Sequence, residues 1–71
     1  MPLTTRDYRT YKVFYDGDKT FAWLQRFNIS KNKIIYQATV GTTESIGKPF
    51  HTEVEAERYI QAKYEEAMNA N

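Results

Sequence analysis

The stretch "YKVFYDGDKTFAWLQRFNISKNKIIYQATV", residues 11–40, decides the fold. It holds three runs rich in aromatic and β-branched residues, "YKVFY" (11–15), "FAWLQRF" (21–27) and "KIIYQATV" (33–40), the composition of strands. Between them lie "DGDK" and the segment around "SKNK", whose Asp, Gly, Asn and Ser content suits hairpin loops. Strands joined by two short loops predict an antiparallel meander.

The loops also predict which side chains share a face, because residues directly opposite on paired strands point the same way. A four-residue "DGDK" loop sets Tyr15 opposite Thr20, Phe14 opposite Phe21 and Val13 opposite Ala22. The same logic at "SKNK" sets Ile29 opposite Ile34, Phe27 opposite Tyr36 and Trp23 opposite Val40. One face then collects Phe14, Phe21, Trp23, Phe27, Ile29, Ile34, Tyr36, Ala38 and Val40, an apolar core that places Trp23 under whatever covers the sheet. The other collects Tyr11, Val13, Tyr15, Leu24, Arg26, Asn28, Lys33, Ile35, Gln37 and Thr39. A slip of one residue in either pairing would exchange the faces of a strand.

Moving outward to the C-terminal side, "VGTTESIGKPFHTEVEAERYI" (40–60) has the outline of a phosphate-binding loop but not its chemistry. That motif needs four residues between its glycines and a hydroxyl after its lysine. Here Gly41 and Gly47 enclose five, and Pro49 follows Lys48. The segment "GTTESIG" instead reads as the loop leaving the third strand, and "KPF" as a short extended piece before a helix. Thr52 and Glu55 stand at capping-box spacing, and Glu53, Glu55 and Glu57 suit the positive end of a helix. Ala56, Tyr59, Ile60, Lys63, Tyr64 and Ala67 then recur at three- and four-residue spacing, predicting a helix over 53–68 with one packing face. The expected fold is therefore α+β: a three-stranded antiparallel β-meander packed on one face by a single C-terminal α-helix. Residues 1–10 are expected to be an N-terminal extension and residues 11–71 a single domain of ββββα or βββα type.

A chain of 71 residues buries only about 60% of the surface it exposes when unfolded, so stability is expected to be marginal. With no cysteine, neither disulfides nor thiolate metal sites can staple it, and eleven aromatic residues (six Tyr, four Phe, one Trp) must supply much of the burial. No apolar run resembles a signal core or a membrane span, so the expected location is cytoplasmic. The initial Met and the terminal "MNAN" fit either a complete small protein or a domain cut near its edge. Net charge is +1, but residues 1–50 hold eight Lys/Arg against four Asp/Glu, and residues 51–71 hold two against five. That asymmetry points to two faces of opposite electrostatic character.

Catalytic patterns are lacking. His51 is the sole histidine and sits beside the helix cap, Asp16 and Asp18 read as turn residues, and Glu53 with Glu57 lacks a histidine companion for a metal. The expectation is a binding module without cofactor, metal or small-molecule substrate. Since one helix covers one face, the other is left for a partner. On it Arg26 and Lys33, together with Lys48 and Lys12, would meet phosphates, while Tyr11, Tyr15, Asn28 and Gln37 would reach bases or sugars. The order of three strands and a helix, with the join "FHTEVEAERYI" (50–60), resembles the arm-type DNA-binding domains at the N-termini of phage tyrosine integrases. That resemblance implies DNA as partner. The alternative is a phage-type accessory or inhibitor protein that docks on a larger host protein through its Tyr-rich sheet face or its acidic helix.

Overall fold

The computed structural model describes residues 3–41 and 48–69. Five strands, β1 (Thr4–Asp7), β2 (Tyr11–Asp16), β3 (Lys19–Ser30), β4 (Lys33–Val40) and β5 (Lys48–Phe50), precede one helix, α1 (Glu53–Met68). All neighbours pair antiparallel, in the order β1-β2-β3-β4-β5. The α+β class, the meander and the C-terminal helix agree with expectation, whereas the sheet has five strands, not three. Thr4–Asp7, expected to be part of an extension, pairs along β2 as an edge strand, and the "KPF" piece pairs with β4 as the other edge. Neither edge strand has the apolar alternation that marks a half-buried strand; each is held by its neighbour's backbone. The loop expected at 42–47 lies outside the described residues.

The helix begins where its capping chemistry predicts. Thr52 has extended backbone angles, and its side-chain oxygen accepts from the Glu55 N–H at 3.2 Å. Ala56, Ile60 and Tyr64 form the buried stripe, while Ala67, expected within it, is exposed. Beneath them lie Phe14, Ala22, Leu24 and Ala38, with Phe21, Tyr36, Val40 and Phe50 at the margin. Leu24 and Ile60 are the largest fully buried side chains, and Ala22, Ala38 and Ala56 are fully buried beside them. Small residues on both layers let the helix approach the sheet closely.

Strand β3 overturns the expected core. Tyr15 pairs with Thr20 as anticipated, but Phe14 pairs with Ala22, so Phe21 is an extra residue; at the other end Ser30 pairs with Lys33 and Asn28 with Ile34, so Ile29 is extra. Each extra residue is a β-bulge, and each slips the register by one. Two slips cancel between β2 and β4, so Phe14, Tyr36, Ala38 and Val40 keep their expected face. Between the bulges β3 is inverted: Ala22, Leu24 and Arg26 face the helix, while Trp23 and Phe27 take the opposite side. Phe21 nevertheless packs on the core, edge-on to the Tyr64 ring at 5.4 Å between centroids.

Length explains the remaining differences. Strands of seven residues would match a sixteen-residue helix, but β3 has twelve residues, roughly 40 Å against roughly 24 Å for α1. Since Arg26 meets Glu53 at the helix start, the β3–β4 hairpin beyond it runs past the helix, and the molecule measures 44 × 21 × 20 Å. Phe27, Ile29 and Ile34, expected in the core, are therefore exposed. The other hairpin turns through Gly17 and Asp18, where Gly17 takes φ +68°, a left-handed conformation that glycine adopts without Cβ strain.

Candidate interaction surface

The helix-free face is built in rows across the sheet. Arg6, Val13, Trp23 and Thr39 form one row through successive pairings, and Tyr11, Gln25, Gln37 and Pro49 form the next. Phe27 and Ile35 form a third toward the protruding hairpin, and Thr4 pairs with Tyr15 at the opposite end. No described position in these rows carries a carboxylate.

A tyrosine cluster closes one edge. The Tyr8 and Tyr11 rings stack at 4.6 Å, nearly parallel at 14°. Tyr8 also reaches Tyr15: the Tyr15 hydroxyl donates to the Tyr8 oxygen, which lowers the Tyr8 pKa, with a hydrogen bond from Arg6 acting the same way. The same bond, followed by burial, raises the Tyr15 pKa. Val13 lies between Tyr11 and Tyr15 on this face and is only 5% exposed although no helix covers it. Its shielding comes from neighbours such as Trp23 and Arg6, which oppose it on the adjacent strands. This side of the sheet thus carries an apolar spot with a polar rim, whereas Phe27 at its far end is 44% exposed.

Of the residues expected to bind a partner, Tyr11, Tyr15 and Gln37 come together here, and Lys33 sits at the base of the β3–β4 turn. Arg26 and Asn28 are turned to the other side by the inversion of β3. Arg26 bonds Asp7 at 2.9 Å and lies 3.9 Å from Glu53. Lys12, beside it, lies 3.5 Å from both Glu53 and Glu57. Lys48 stands over the Tyr59 and Phe50 rings at 5.1 and 5.9 Å, also on the helix side. The basic excess of the first fifty residues is thus partly neutralised by the acidic helix within the fold. Tyr8, Arg6, Trp23, Gln25 and Phe27 are the open-face residues that sequence reasoning did not single out. For Tyr8 and Arg6 the signal was available, since two tyrosines flanking "RT" can form a hairpin turn, and the Tyr8 N–H does donate to the Tyr11 carbonyl at 2.8 Å.

His51 is exposed beside the cap. Asp16 accepts a hydrogen bond from the Tyr64 hydroxyl at 3.4 Å, and burial followed by this carboxylate raises the Tyr64 pKa. Among the described residues no His, Cys, Asp and Glu group of three or more comes together as a metal site, and no helix is long and apolar enough to cross a membrane. No protein-family model matches this chain, and no curated protein or solved structure is significantly similar to it.

Proposed function

We propose that the chain is a non-catalytic binding module that docks a protein partner on the helix-free face of its sheet. The observation that carries this reading is the division of charge. Arg26 and Lys12 are committed to Asp7, Glu53 and Glu57 across the helix–sheet layer, which leaves the open face to tyrosines, Trp23, Phe27 and the amides Gln25 and Gln37. Aromatic anchors with adaptable polar neighbours are the composition of protein interfaces. Five strands spaced about 4.8 Å apart, with the central ones roughly 20 to 40 Å long, offer on the order of 500 Å², the larger part of one side of a standard interface. A duplex would instead demand many phosphate contacts, and among the described residues the rows themselves hold one cation, Arg6, with Arg9, Lys31 and Lys33 in or beside the adjoining turns. One feature favours a second reading: an aromatic face without carboxylates among the described residues also suits stacking of single-stranded nucleic acid.

The test compares immobilised wild-type protein with a Tyr11→Ser/Phe27→Ser double variant whose melting curve shows it folded, using crosslinking to identify captured partners. The reading expects specific partners crosslinked at the open face and lost with the variant. A parallel titration with single-stranded and duplex oligonucleotides at low and moderate salt should show no steeply salt-dependent binding. Equal capture by both proteins overturns the reading, and tight, salt-sensitive oligonucleotide binding replaces it with the second.

A further inference from the structure

The two edges of the sheet are not alike. β5 is three residues long and contains Pro49, which has no N–H to offer, so this edge is blunted against another strand. The four residues of β1 are exposed and none is proline, and the outer side of the strand presents the alternating N–H and C=O groups of an unpaired edge. The helix does not cover this side. Its axis lies over β3, β4 and β5, so that next to β1 a groove of about 400 Å³ remains, lined by Leu3, Thr5, Phe14, Val54, Arg58 and Gln61. Val54 is 56% exposed at the helix start, an aliphatic side chain facing solvent where the groove opens.

Charge adds a preference. Glu57, on the same wall, lies within 3.5 Å of Lys12, whereas no carboxylate among the described residues pairs with Arg58. An occupant that places an acidic side chain beside Arg58 and apolar side chains toward Leu3, Phe14 and Val54 would satisfy both the groove and the edge.

We infer that the β1 edge and the adjoining groove form a second binding site, distinct from the helix-free face, which takes an extended peptide segment of a protein by strand addition. Backbone hydrogen bonds to β1 supply affinity, and alternate side chains entering the groove supply selectivity. Four residues of β1 span roughly 14 Å, so the paired part of the peptide is about four residues long. The preferred segment alternates apolar and small polar residues and carries a carboxylate.

The test uses a capped, soluble heptapeptide in which valine and leucine alternate with threonine between terminal glutamates, titrated into isotopically labelled protein and followed by amide resonances. Binding should shift the amides of Thr4, Thr5, Arg6 and Asp7 together with those of Val54 and Arg58, and should slow hydrogen exchange along β1. Val54→Glu and Arg58→Glu, both at exposed positions, should each weaken binding at least tenfold while leaving the melting curve intact. The same peptide N-methylated on alternate amides, in the frame that removes its donors to β1, should lose binding. The Tyr11→Ser/Phe27→Ser protein should bind it as wild type does, which separates this site from the one on the open face. Absence of β1 shifts at millimolar peptide overturns the inference, as does equal binding of the N-methylated peptide or insensitivity to both charge substitutions. Were β1 resonances to move with protein concentration alone, a second copy would be the occupant and the peptide site would fall.

Discussion

Trp23 and Leu24 are neighbours in β3, yet they serve opposite sides of the sheet. Leu24 is sealed between α1 and the sheet, in one cluster with Phe14, Ala22, Ala38, Ala56 and Ile60. Trp23 lies across from Val13 and Thr39 on the side that no helix covers. The first side is closed by packing and by ion pairs that consume Lys12 and Arg26; the second keeps aromatic and amide groups facing outward. The difference teaches that hydrophobic size did not decide which residues went under the helix. Fit to a close helix–sheet contact did, and the largest side chain of the strand was left for the open face.

The sharpest way to break this comparison is to truncate both neighbours. Leu24→Ala should cost about 2 to 5 kcal/mol, a large share of the stability of so small a domain, whereas Trp23→Ala should cost roughly 0.5 to 2 kcal/mol because its side is not enclosed. Chemical denaturation of the two variants checks this; a Trp23→Ala loss equal to that of Leu24→Ala would mean that both faces are core. Acrylamide should also quench the folded protein's tryptophan emission readily.

A smaller effect tests how the closed face is anchored. Thr52→Ala removes the acceptor for the Glu55 N–H and should lower stability by about 0.5 to 2 kcal/mol, read from a thermal melt, while leaving the open face unchanged. Smaller again, Lys12→Met should cost about 1 kcal/mol, since its partners Glu53 and Glu57 are partly exposed and water screens the pairs. The difference from wild type should shrink further at high salt. A large, salt-independent loss would show that the Lys12 stem, not its charge, joins the layers.

The smallest effect concerns pH. Burial and the Asp16 carboxylate raise the Tyr64 pKa above its unfolded value near 10, so the neutral phenol is favoured by folding. Its contribution is fully present below the unfolded pKa and is lost as pH rises through the raised folded value. Melting curves between pH 9 and 11 should therefore fall less steeply for Tyr64→Phe than for wild type. Parallel slopes would show that the hydroxyl is solvated in the fold.

Local chemistry made part of this molecule legible from its sequence. Thr52 and Glu55 mark the start of α1 because a cap involves only residues three apart, and Ala56, Ile60 and Tyr64 show its buried stripe because helical periodicity is intrinsic to the chain. The three central strands and the "DGDK" turn were readable for the same reason. The open face was legible in its Tyr11, Tyr15 and Gln37 but not in its Trp23 or Phe27, and Arg26 was expected on the side it does not occupy. Only the tertiary structure decided the bulges at Phe21 and Ile29, the inversion of β3 between them, and the addition of Thr4–Asp7 to the sheet. Each of these is a choice of pairing within a hairpin, and alternative registers differ by a single residue in a period of two. No local signal distinguishes them, and the choice falls to the packing of Ala22 and Leu24 beneath Ala56 and Ile60.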